Sequence, residues 1–182
     1  MKETSLRIRL FGDPALRKKA SLVKRVTRGH RDILSRMSEL MYAASGIGLA
    51  AVQVGINEAM IVADIGSGLY QLVNPKILKK EGAQLNQEGC LSIPGVCVRV
   101  KRANNILVEA EGPEGRKIIF EAEGLLACVL QHEIEHLKGK LIVDYASFLE
   151  KLKLRSKLEE IKQRLKDEEL SESKDKSCQL QL

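Results

Sequence analysis

Residues 132–136 read His132-Glu133-Ile134-Glu135-His136, inside a stretch that has the apolar periodicity of a helix. On a helix of 3.6 residues per turn, positions i and i+4 fall about 40° apart, so both imidazoles point at one spot and can share a metal ion. Glu133 is rotated by about 100° from His132 and stands beside that spot rather than on it. A carboxylate so placed can take a proton from a water that the ion activates. The chain has only three histidines, and two are used here.

The flanking residues set the surroundings of this helix. Gly124 opens it, Leu125, Leu126, Val129, Leu130, Ile134 and Leu137 recur at three- and four-residue steps, and Gly139 is the expected stop. Leu125, Cys128 and Val129 project on the side of His132. The metal is therefore expected against a mostly apolar wall, where its charge is poorly screened and a water is more easily deprotonated.

Upstream, Phe11-Gly12-Asp13-Pro14 reads as a turn after an extended 6–10 segment. A helix is expected over about 30–44, with Ile33, Leu34, Met37, Leu40 and Met41 on one face. Strands are expected at 60–65, 70–73, 76–80, 96–100, 106–111 and 117–121, separated by Gly, Pro and Asn signals. After the His132 helix, 141–143 reads as a short extended exit. A last helix covers about 147–169, with Leu154, Leu158, Ile161 and Leu165 as its seam. The expected fold is α+β: small antiparallel sheets packed around a central HExxH helix, with N-terminal and C-terminal helices. One metallohydrolase domain is expected over 1–170, and a disordered polar tail over 171–182.

A chain of 182 residues with 44% hydrophobic content can build one real core. No apolar run reaches membrane-span length, and the first ten residues lack the apolar stretch of a secretory signal. Cys90, Cys97, Cys128 and Cys178 form no CxxC pair, which fits reduced thiols and a cytoplasmic setting. Ten Lys or Arg against two acids give residues 1–31 a charge of +8, while the remainder sums to −2. Such a surface can meet RNA or simply water. With no Trp, three Phe and three Tyr, few rings are present to stack on bases, which argues against a dedicated single-strand binder. No specific DNA contact and no membrane contact are expected.

Two histidines leave a hydrolytic site short of a ligand. A thermolysin-like endopeptidase would draw a Glu from a later helix, here Glu159 or Glu160, both set among Lys and Arg. The other candidate is Cys90, in Glu88-Gly89-Cys90-Leu91-Ser92-Ile93-Pro94-Gly95, where Gly89 allows close backbone approach. A thiolate with two neutral imidazoles suits Zn²⁺ or Fe²⁺ and leaves one position open. A closed, purely structural metal site on an RNA- or ribosome-binding protein is the third possibility.

Three blocks in order narrow the choice. Gly46-Ile47-Gly48-Leu49-Ala50-Ala51-Val52-Gln53, then Glu88-Gly89-Cys90-Leu91-Ser92, then Gln131-His132-Glu133-Ile134-Glu135-His136-Leu137-Lys138-Gly139 resemble the signature blocks of peptide deformylases. The resemblance runs from about Phe11 to Asp144, and the helical C-terminus looks like the common bacterial form. It implies Cys90, His132 and His136 as metal ligands, Glu133 as general acid/base, and Gln53 with the Leu91 N–H as oxyanion donors. It implies removal of the formyl group from N-terminal formylmethionine of nascent chains. The implied physiological metal is Fe²⁺, with Zn²⁺, Ni²⁺ or Co²⁺ as replacements. Leu125, Cys128 and Val129, with Ile47 and Gly48 opposite, are expected to form the methionine pocket. The peptide is expected to extend along backbone near Gly46, Gly48 and Gly89. The family usually has Asp where this chain has Glu135, which bears on metal affinity and rate rather than on reaction type. Arg102 matches a basic residue of the family and is a candidate partner of Glu88. His30 is expected at the surface near a helix start, without a partner.

Overall fold

The computed structural model describes residues 6–178, with side chains described to residue 167. Among the described residues, seven strands form two antiparallel sheets. The larger has the order β1 (Gly48–Ala50), β2 (Met60–Ala63), β3 (Tyr70–Glu81), β6 (Asn105–Glu111) and β7 (Lys117–Glu123). The smaller pairs β4 (Gln84–Glu88) with β5 (Val98–Arg102). The sheets are joined by three α-helices, α1 (Arg28–Ala43), α2 (Gly124–His136) and α3 (Phe148–Cys178), and by short 3-10 turns.

The central position of α2 follows from its composition. Nine of its thirteen residues are buried, so it lies inside the fold rather than on its surface. Leu126, Leu130, Ile134 and Leu137 pack with Ile61, Leu72, Ile106 and Val108 of the large sheet. Burial of each such side chain contributes roughly 1.5–3 kcal/mol. The opposite side of α2, carrying Cys128 and His132, meets Glu88 at the end of β4. Helix α1 seals another flank, burying Leu34, Met37 and Met41 with Leu49, Met60 and Val62. Helix α3 lays Leu154, Leu158 and Ile161 on Ile93, Val98, Leu141 and Ile142.

Several local expectations change. The two segments at 70–73 and 76–80 are one strand, β3, because Asn74 adopts a positive φ of 53° and lets the chain pass through an irregularity without ending. Strand 96–100 is displaced to Val98–Arg102. Strand β4, rich in Gln and Asn, has weak β-propensity and lies outside the expected strands. Segment 141–143 is extended only at Leu141: Ile142–Asp144 is a 3-10 turn whose Asp144 carboxylate accepts from the Leu141 N–H at 2.9 Å. Helix α2 ends at His136, before Gly139. With no Gly or Pro to stop it, α3 runs past 169 to Cys178, so residues 171–178 of the expected tail are helical backbone. Residues 179–182 of that tail lie outside the described residues. His30 does have partners: it is the third residue of α1, and its Nδ1 accepts from the Thr27 N–H at 2.9 Å, capping the helix start. Its Nε2 lies 3.4 Å from Glu58.

Candidate active site

A cavity of about 520 Å³ opens between β1, the residues around Cys90 and α2. Gly46, Ile47, Gly48, Gln53, Gly89, Cys90, Leu91, Leu125, Cys128, Val129, His132 and Glu133 all line it, so three segments far apart in sequence meet at one cleft. His136 is buried behind them, with Nε2 3.3 Å from Cys90 Sγ and 3.1 Å from His132 Nε2. The donor atoms of Cys90, His132 and His136 lie within 4.8 Å of one another. Glu159 and Glu160 are elsewhere, exposed on α3, paired with Lys162, Lys157 and Arg164.

The donor set fits a divalent cation. Bonds of about 2.0–2.3 Å around a tetrahedral ion separate neighbouring donors by about 3.5 Å, close to the 3.3 and 3.1 Å that separate His136 Nε2 from Cys90 Sγ and His132 Nε2. Two imidazole Nε2 atoms in contact cannot both carry protons. Burial, followed by the charges on His132 and Arg102, pushes the His136 pKa well down. Burial opposes charge on His132 too, but hydrogen bonds to Cys90 and Glu88 and the Glu133 charge hold its pKa up to about 10. One positive charge is thus held among donors that a cation would satisfy together.

A buried charge network orients His132. Its Nδ1 lies 2.8 Å from Glu88 Oε2, which leaves Nε2 to face the other donors. Arg102 grips Glu88 with two bonds, Nε to Oε1 at 2.7 Å and Nη2 to Oε2 at 2.8 Å. Burial would raise the Glu88 pKa, but Arg102 and His132 override it and hold the carboxyl at about 2. Arg102 also donates to Glu135 Oε2 at 2.5 Å, and Tyr145 donates to Glu135 Oε1 at 2.5 Å. The phenol of Tyr145 is pushed up to about 12 by burial, its bond to Glu135 and the Glu135 charge. Arg102 is therefore buried rather than a strand-end surface residue, and Glu135 reaches His132 only through Arg102 and Glu88. Tyr145 carried no sequence signal, because its role depends on the turn that returns it to α2.

Glu133 is buried at the wall of the cleft. Burial raises its pKa to about 7, with His132 opposing and Glu88 adding to the rise. Its Oε2 is buried without a hydrogen-bond partner. Gly48 makes room for it: a Cβ there would stand 2.3 Å from Glu133 Oε1. At Gly46 a Cβ would stand 2.7 Å from Leu91 Cδ1, so the Leu91 side chain needs that gap.

Gln53 is held as a donor. The Ala50 N–H donates to its Oε1 at 2.8 Å, which turns Nε2 toward Ser92 Oγ at 3.1 Å and Cys90 Sγ at 3.5 Å. Cys128 donates to Glu88 Oε1 at 3.2 Å, and burial with the Glu88 charge and this bond raises its thiol to about 12. It is a neutral wall residue. Ser45, Asn86 and Gln87 also line the cleft. The alternation Gln84, Asn86, Glu88 was the one sequence signal for Asn86, and Gln87 had none.

A family model described as polypeptide deformylase matches residues 5–152. The peptide deformylase of Syntrophomonas wolfei is 53% identical over 131 residues, covering 72% of this chain and 86% of that protein. That of Alkalilimnicola ehrlichii is 49% identical over 160 residues, covering 86% of this chain and 90% of the relative. The crystal structure of a peptide deformylase from Legionella pneumophila is similar with a TM-score of 0.82 at 38% identity, covering 87% of this chain and 95% of that one.

Proposed function

The chain belongs to the polypeptide deformylase family, and from that premise we propose that Cys90, His132 and His136 hold one divalent ion beside Glu133, the acid/base. The reaction is hydrolysis of the formyl amide at the N-terminal formylmethionine of newly made polypeptides. The observation that supports the residue roles is the meeting of Cys90 Sγ with the two Nε2 atoms at a cleft that Glu133 also lines. When bound, the ion supplies Lewis acidity, polarising the formyl oxygen and acidifying a water.

The protein's own groups do the rest. Glu133, raised to about 7, is poised near neutral pH to take the proton of the attacking water and give it to the leaving amine. The Gln53 Nε2–H and the Leu91 N–H donate to the oxygen as negative charge develops on it. Glu88 keeps the His132 ring in one tautomer and one orientation. The missing side chains at Gly46, Gly48 and Gly89 let an extended peptide approach the backbone of the cleft. Ile47, Leu125, Cys128 and Val129 receive the methionine side chain.

The physiological ion of this reading is Fe²⁺, with Zn²⁺, Ni²⁺ or Co²⁺ able to replace it. A thiolate-held ferrous ion is open to oxidation, so the iron form should lose activity in air faster than the nickel form. The protein acts in the cytoplasm, where chains emerge. No described helix is long and apolar enough to cross a membrane. Exposed Lys18, Lys19, Lys24, Arg25 and Arg28 offer a basic surface for ribosomal RNA; salt-sensitive cosedimentation with ribosomes tests that contact.

The central test compares formyl-Met-Ala-Ser, acetyl-Met-Ala-Ser and an internal peptide bond. Cleavage of the formyl substrate alone is expected; internal cleavage would overturn the reading. Glu133→Ala should keep the metal and lose at least ~10²-fold in turnover. Cys90→Ser should lose the metal, because an alcohol seldom binds as an anion.

A further inference from the structure

Strand β4 turns three polar side chains, Gln84, Asn86 and Glu88, to one side, since alternate residues of a strand share a face. That side looks at α2. Gln84 Nε2 donates to the Gly124 carbonyl at the start of α2, at 2.8 Å. Glu88 meets Cys128 and His132, one and two turns further on. Asn86 stands between these two anchored neighbours, so its register places it at the level of Leu125 and Cys128, and it lines the same cavity. Its amide nitrogen Nδ2 is buried and has no hydrogen-bond partner.

An apolar side-chain pocket does not call for this group. A buried amide N–H with nothing to donate to bears the full cost of its desolvation. A thioether sulfur is too weak an acceptor to relieve it. Oxidation of methionine turns that thioether into a sulfoxide, a polar group with a strong acceptor oxygen. A wholly apolar wall would reject such a side chain, because its oxygen would be stripped of water and left unpaired. With Asn86 on the wall, the two unsatisfied groups answer each other. The terminal torsion of an asparagine is broad, so a small rotation turns the N–H into the cavity.

We propose that Asn86 is a specificity-determining residue that lets the first-residue pocket accept N-formylmethionine sulfoxide, the sulfoxide oxygen accepting from Nδ2. This rests on the deformylase reading above. It assigns the enzyme a second natural substrate class, formylated chains whose first methionine has been oxidised.

The test measures kcat/KM on formyl-Met-Ala-Ser, on each sulfoxide epimer of the same peptide, and on formyl-norleucine-Ala-Ser, which has no acceptor. The native protein should cleave at least one epimer. In Asn86→Leu, and in Asn86→Ala should leucine disturb β4, the sulfoxide-to-methionine ratio should fall by about tenfold or more, the scale of losing one buried hydrogen bond. The norleucine-to-methionine ratio should not fall. Each ratio is taken within one preparation, so partial misfolding does not move it. Calorimetric binding of the product peptides Met(O)-Ala-Ser and norleucine-Ala-Ser gives the same comparison without turnover. An unchanged sulfoxide ratio in both variants, or native protein inactive on both epimers, overturns the role of Asn86 while formyl-Met cleavage still stands. Failure on formyl-Met-Ala-Ser itself overturns the deformylase reading, and this inference with it.

Discussion

The same residue types form ion pairs in two regions of this protein, with different physical consequences. Beneath the donor cluster, Arg102 is gripped between Glu88 and Glu135, and Arg102 and Glu88 are buried to 4% and 7% exposure. On α3, Glu159 and Glu160 pair with Lys157, Lys162 and Arg164 in the open. The buried set is fixed in geometry, because each oxygen and N–H taken from water must find a partner. The exposed set exchanges freely with water and is screened by salt. The α3 glutamates lie away from the cluster of Cys90, His132 and His136 and are paired with Lys and Arg, so they are not placed to join it despite lying downstream of an HExxH.

This contrast can be broken most directly at Arg102. Arg102→Leu removes the two-bond partner of the buried Glu88, leaving it only His132 and Cys128, and should cost about 3–5 kcal/mol in urea unfolding of the metal-free protein. A loss below about 1 kcal/mol would place the network in the same class as the surface pairs.

Acid should act on the same point. Glu88 titrates at about 2 in the fold against an ordinary 4.5. Its stabilisation is therefore fully present above about pH 4.5 and is lost as pH falls through 2. The slope of metal-free stability between these values should be steeper in the native protein than in Glu88→Gln, by at most roughly 3 kcal/mol in total. Equal slopes would show that Glu88 gains nothing from its partners.

A smaller effect is expected at the outer member. Glu135→Asp shortens the arm that reaches both Arg102 and Tyr145, and should weaken metal affinity by up to about tenfold while the products stay the same. A change in reaction products would contradict a purely orienting role. Smallest of all, Glu159→Ala and Glu160→Ala should keep full metal content and show melting temperatures that converge with the native value at high salt. Loss of metal in either variant would restore the endopeptidase alternative.

The local chemistry was legible in the residues alone. HExxH on an apolar-periodic helix fixed two imidazoles on one face with a carboxylate beside them, because helical geometry alone sets those angles. Three ordered blocks pointed to the family, and apolar spacing located α1, α2 and the seam of α3. Which distant groups meet is set by the folded arrangement. That Cys90 rather than Glu159 or Glu160 faces His136 depends on β4 and β5 pairing across the end of α2. That Gly48 yields space to Glu133, and that Tyr145 and Arg102 meet Glu135, depends on chain returns with no periodic signature. Strand β4 shows the reason most clearly. Its Gln and Asn residues read as loop from propensity, yet β5 supplies the missing backbone partners and α2 the side-chain ones. Contacts between segments far apart in sequence override local preference, and they alone put Asn86 on the wall of the cleft.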